Sequence, residues 1–182
     1  MPQTKLEKFV FGIFMSYFMA YGMEVYNNAW KEGIPLSAGG FSNLRNGVFL
    51  AALKETVFMG VIAYIVSELW GNRIGHMLAA RFSNPKTDPK FFCTLMMSGC
   101  TVFIMCPSMS LIASVLFSVI LGGVPLSQLP AVWVGSVIKN FPMAFFWNIF
   151  AAAPLTRTVF AKLFRREKSA VTVTSAPVAA KR

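Results

Sequence analysis

Between Phe91 and Ile138 the chain contains no Asp, Glu, Lys, Arg or His. As a single helix that stretch would be roughly 72 Å long at about 1.5 Å per residue. A bilayer's hydrocarbon core is only about 30 Å thick. The stretch is therefore expected to cross, turn and come back, with Gly122-Gly123-Val124-Pro125 as the turn. Charge is scarce elsewhere too: 13% of residues are charged and 55% are hydrophobic. A soluble domain carries about twice that share of charge, and a disordered chain is far less apolar. Histidine occurs once, at His76, which excludes most His-based triads and metal sites. Gly-x-Ser-x-Gly, Walker-type and dinucleotide-binding patterns are absent from the sequence. The three cysteines, Cys93, Cys100 and Cys106, lie in one apolar segment without C-x-x-C spacing. Neither a disulfide framework nor a zinc site is indicated, and they read as small apolar filler. No enzyme, cofactor or metal is expected.

What is present is a formal charge of +10 carried in short basic blocks beside apolar runs. A nucleic-acid footprint needs basic residues on a water-facing surface. Blocks of this kind suit the anionic inner face of a membrane, so nucleic acid is not an expected partner and anionic lipid is. Four spans follow in order: Phe9 to Trp30, Val48 to Trp70, Phe91 to about Ile112, and Ala131 to Ala153. The first is read as a retained helix rather than a signal peptide. The second is the weakest, because Lys54 and Glu55 lie inside it. Lys31 to Gly47 and Gly71 to Lys90 read as loops, the latter basic. Leu155 to Arg166 reads as a basic amphipathic helix facing lipid, with Arg157, Lys162, Arg165 and Arg166, and 167–182 as a disordered tail. Most of the 17 Lys and Arg residues fall in the amino-terminal segment, the Gly71–Lys90 segment and the carboxyl end. By the positive-inside rule both termini are cytoplasmic, in a cell membrane.

The halves echo one another. Lys8-Phe9 matches Lys90-Phe91, Met15-Ser16 matches Met97-Ser98, and Met23 matches Met105, at one constant offset. Gly33-Ile34-Pro35-Leu36-Ser37 matches Gly123-Val124-Pro125-Leu126-Ser127 at a larger one. The expected architecture is an all-α polytopic membrane protein, four transmembrane helices as two parallel two-helix repeats. These occupy 9–82 and 91–166, joined by a basic linker at 83–90 after a cytoplasmic segment at 1–8. Sites in repeat-built transporters tend to lie between the copies. Met105-Cys106-Pro107-Ser108-Met109-Ser110, Asn140-Phe141-Pro142-Met143-Ala144 and Ala153-Pro154-Leu155-Thr156-Arg157 resemble the recurring segments of a bacterial membrane family known as Domain of Unknown Function 2798. The resemblance spans roughly residues 5 to 166 and implies a fold and a location; the family lends no activity.

Polar groups inside the spans are the functional candidates, since a charge at mid-bilayer costs on the order of 3 kcal/mol. Counting along the helices puts Glu24 and Lys54 at one depth, about 21 to 22 Å above the inner face. With Glu55 and Lys139 they form an expected cluster of buried charges near the repeat interface. The functional reading is a polar or proton-linked pathway in the outer half, and the plain alternative is paired charges that hold helices together. Asn140 and Asn148 are expected to adhere helices, and Pro107 and Pro142 to kink them. Trp30, Trp70, Trp133 and Trp147 include three near span ends, as interface anchors. His76 reads as a solvated loop residue, and Glu68 as a solvated boundary charge. Met96-Met97, Met105 and Met109 read as packing; handling copper would need a water-facing Met array. Two classes remain: a small transporter or permeability protein, as a monomer or a homodimer, or a non-catalytic subunit binding lipid or another membrane protein.

Overall fold

The computed structural model of the chain describes residues 4–33, 45–84 and 87–174. Among them every regular element is helical. Helix α1 (Lys5–Gly33) opens with a capping box. Thr4 Oγ1 accepts the Glu7 amide N–H at 3.1 Å, and the Thr4 amide donates back to Glu7 Oε2 at 3.5 Å. Helix α2 (Gly47–Val66) passes through a π-helical turn at Ser67–Gly71 into α3 (Asn72–Phe82), which Ser83 ends in extended geometry. Helix α4 (Lys90–Ala113) follows Pro89 and continues as a π-helical segment to Ile120. The expected turn comes next, with Gly123 at φ 66°, where the missing Cβ removes the steric penalty. The Val124 amide donates to Ser118 O at 3.0 Å and caps the helix end. Helix α5 (Leu129–Trp147) then runs through a π-helical turn at Asn148–Ala152 into α6 (Ala153–Thr174).

These elements form four rods long and apolar enough to cross a membrane: Lys5–Glu32, Gly47–Phe82, Phe91–Ile120 and Leu126–Phe164. Three sequence boundaries are corrected. The basic stretch after Gly71 is helix as far as Phe82, because no proline interrupts it before Ser83 and Gly75 packs within the helix rather than breaking it. The fourth span and the basic amphipathic segment are one rod of 39 residues, roughly 58 Å long, so its basic end overruns a bilayer core. The helix also persists to Thr174, so 167–174 are not part of a tail; 175–182 lie outside the described residues, as does the loop over 34–44. Pro107 and Pro142 sit inside continuous helices.

The rods form a ring. Helix α1 packs on α2, α3 on α4, α4 on α5, and α6 returns to α1. Helices α1 and α4 thus stand on a diagonal, both lining the space in the middle. The contact pattern is the same from either half: the carboxyl-terminal part of each second rod packs on the first helix of the other half. The buried positions agree as well. Ala63, Ser67, Gly71, Gly75 and Ala79 recur every four residues along the second rod, and Ala144, Asn148, Ala152, Thr156 and Phe160 do so along the fourth, at one constant offset. A strict four-residue stripe drifts by about 40° per step around an α-helix. The wider π turns at Ser67–Gly71 and Asn148–Ala152 offset that drift and keep the stripe facing inward.

Between apolar helices in lipid, close contact replaces the hydrophobic drive. A Cβ on Gly75 would lie 2.9 Å from the Thr101 Cα, so this glycine sets how near α3 approaches α4. Gly22 likewise makes room for the Trp147 indole, whose Nε1–H donates to Phe18 O at 2.9 Å. Trp133 donates to Pro107 O at 2.9 Å and Trp70 to Ser108 Oγ at 3.2 Å. These three tryptophans therefore tie helices together, a role that their position along the spans does not convey.

Candidate functional site

The expected charge cluster forms, with one member exchanged. Glu24 is 6% exposed, and its carboxyl meets that of Glu55, with Lys31 and Lys139 close enough to act on it. Asn28 Nδ2 donates to Glu55 Oε2 at 3.0 Å, and Lys31 Nζ lies 4.0 Å from Glu55 Oε1. Lys31 also sits 5.1 Å above the Phe117 ring. Tyr26 Oη donates to Lys139 O at 3.2 Å, joining α1 to α5 at this level. Lys54 is not in the cluster; it is exposed on the outside of α2. Adjacent helical residues point about 100° apart, so the rotation that turns Glu55 toward α1 turns Lys54 away. Depth along a helix could be counted from sequence, but the azimuth could not.

Below the cluster lies a cavity of about 450 Å³ shared by all four rods. Along α1 it extends from Lys8 to Asn27, roughly 28 Å of helix. Its end near the start of α1 is bordered by Lys8, Glu68, Asn72 and His76, of which Lys8, Glu68 and His76 are exposed. Its far end stops at Glu24, Asn27 and Ala113, beneath the charged cluster. Polar groups stud the wall between: Ser67, Thr101, Ser110, Asn140 and Asn148. The Asn140 and Asn148 Oδ1 atoms are buried with no hydrogen-bond partner among the described residues. Both residues line the cavity, so each leaves a buried acceptor at its wall that needs a donor.

The apolar wall is unusual in kind. Met15, Met19, Met23, Met59, Met105 and Met109 line it, and Phe11 is the one phenylalanine among the described residues that does, in a chain with 11 Met and 18 Phe. Met19 and Met23 pack on a buried cluster of Val102, Cys106 and Ala144. Thr156 Oγ1 approaches Met15 Sδ at 3.5 Å. Cys106, His76 and the methionines thus border the cavity, where the sequence suggested filler, a solvated loop residue and packing. A signal existed: Ser16, Ala20, Glu24 and Asn28, all buried, form a four-step stripe of polar and small residues on an otherwise bulky helix. Among the described residues no group of three or more His, Cys, Asp or Glu is placed to hold a metal ion. Arg157 and Lys162 are exposed, while the side chains of Arg165 and Arg166 are outside the described set. Arg157 borders a second hollow, of about 360 Å³, with Thr94, Ser98 and Thr158.

A ring of four apolar helices around a polar-studded cavity defines a multi-pass, membrane-compatible helical protein. Residues 86–164 match the model of a family described as Domain of unknown function (DUF2798). That match holds all three motifs on which the resemblance rests, and it covers the second half where the sequence reading extended the likeness to roughly residues 5 to 166. A protein of Bacillus subtilis (strain 168), "Uncharacterized protein YybC", is 29% identical over 170 residues, which is 93% of this chain and 99% of that one. No solved structure matches the chain.

Proposed function

We propose that the chain is a small transporter or permeability protein of a cell membrane, without a catalytic step, and that solute moves through the cavity between its halves. The observation that carries this reading is the cavity itself. It follows α1 for about 28 Å, close to the thickness of a hydrocarbon core, and it ends under a cluster of two carboxylates and two lysines. Burying such groups against an internal space is costly in lipid, and intramembrane charges mark solute and proton paths. The basic ends of α1, α3 and α6 favour a cytoplasmic location for both termini, hence a cavity open inward and closed outward. The shared contact pattern and buried stripes support two tandem parallel units with the site at their boundary.

Reconstitution tests the reading. Vesicles carrying the protein should dissipate an imposed proton or solute gradient faster than protein-free vesicles, and Glu24→Gln should reduce that flux at least tenfold. Flux equal to that of empty vesicles would refute it. A second reading has one observation behind it. The hollow bordered by Arg157, Thr94, Ser98 and Thr158 has the donors of an anionic headgroup site, as in a membrane subunit that binds lipid. Retention of anionic lipid through purification, lost in Arg157→Gln, would favour it.

A further inference from the structure

We infer that the cavity takes a linear aliphatic amine, a slender cation whose ammonium group donates hydrogen bonds. The inference rests on the transport reading and names the substrate class of that site. Four features of the wall lead there. At about 450 Å³ the cavity has the size of a site for a small organic molecule, and its reach along α1 makes it long and narrow. Its far end holds one carboxylate, Glu24, which is 6% exposed. The other charges near it, Glu55, Lys31 and Lys139, do not line the cavity. Two buried amide oxygens, Asn140 Oδ1 and Asn148 Oδ1, lack a donor among the described residues. Asn140 adjoins Lys139, whose backbone bonds to Tyr26, so it sits at the level of Glu24. Asn148 adjoins Trp147, which is bonded to Phe18, and therefore lies lower in the cavity.

An unpaired buried acceptor is satisfied by an N–H donor and by no quaternary ammonium. The ammonium head therefore belongs near Glu24 and Asn140. The alkyl body runs toward Asn148 along Met19, Met23, Met105 and Met109, unbranched thioether chains that adapt to a flexible guest. A soft metal ion fits the same sulfurs poorly. Its ligands must converge on one point, and here Met15, Met19 and Met23 are strung over about 12 Å of one helix, facing an open space.

The test is equilibrium binding to the purified full chain in lipid nanodiscs, with empty nanodiscs as the blank. Hexylamine should bind at least tenfold more tightly than hexyltrimethylammonium, which has the same chain and charge but no N–H. Glu24→Gln and Asn140→Leu should each weaken hexylamine at least tenfold, while Met109→Leu, which keeps volume and loses sulfur, should change it less than threefold. Equal affinity for the two ligands in the unaltered protein would overturn the inference whether or not any variant folds. Silver(I) bound more tightly than hexylamine, and lost in Met109→Leu, would overturn it too. The two readings fail separately. Amine binding without vesicle flux removes transport and keeps the ligand; Glu24-dependent flux without amine binding does the reverse.

Discussion

The two halves follow one contact pattern and furnish it differently. In the first, the inward stripe of the second rod is Ala63, Ser67, Gly71, Gly75 and Ala79; in the second it is Ala144, Asn148, Ala152, Thr156 and Phe160. Small residues let α3 close on α4, whereas the larger set fills the opposite seam with side chains and turns one amide to the cavity. The first helices differ in the same way. Glu24 on α1 and Cys106 on α4 are both buried at the wall, and the acidic and lysine side chains that line the cavity, Lys8, Glu24 and Glu68, belong to the first half, while Lys139 of the second half acts on Glu24 from outside it.

That contrast can be broken in graded steps. Gly75→Leu should have the largest effect, because even a Cβ there meets the Thr101 backbone at 2.9 Å. Overpacking of this kind costs about 1–3 kcal/mol or more, so detergent-solubilised protein should lose its monodisperse elution peak. Asn28→Ala comes next. It leaves Glu55 without its 3.0 Å donor, and a hydrogen bond to a charged group contributes about 1.5–3 kcal/mol. Thermal unfolding in detergent should fall by several degrees, and pairing it with Glu55→Gln should recover part of the loss. Trp147→Phe removes one bond to Phe18 O, about 1 kcal/mol, read as a smaller shift of the same transition. Lys31→Met should cost under about 1 kcal/mol, since Lys31 is 56% exposed and 4.0 Å from its partner. Lys54→Met, on the outside of α2, should change nothing measurable. A loss from Lys54→Met equal to that from Asn28→Ala would reverse the assignment of the cluster.

How much was legible in the sequence follows from what sequence encodes. The uncharged run from Phe91 to Ile138, the Gly-Gly-x-Pro turn and the spacing of apolar blocks fixed the rods and one hairpin, because length and polarity act residue by residue. Glu24, Glu55 and Lys139 stand out as polar groups within spans for the same reason. That Lys31 rather than Lys54 joins them is not legible, because membership depends on which way a helix is rolled, which its neighbours decide. The cavity was not legible either. Met15, Met19 and Met23 look like packing until the opposite wall stands too far off to pack them fully, and Asn148 looks like adhesive until its oxygen has no donor. The helical run to Thr174 is not legible either, since Ser, Thr, Ala and Val occur in helix ends as readily as in coil.

Cysteine accessibility tests most directly the claim that water and solute reach the middle of this helical ring. With Cys93, Cys100 and Cys106 replaced by serine, single cysteines would be placed at Asn148, on the cavity wall, and at Phe150, 75% exposed on the outside. In native membranes a small water-soluble methanethiosulfonate should modify the first and spare the second. Modification of the outer position alone, or of neither, would contradict an aqueous cavity enclosed by lipid-facing helices.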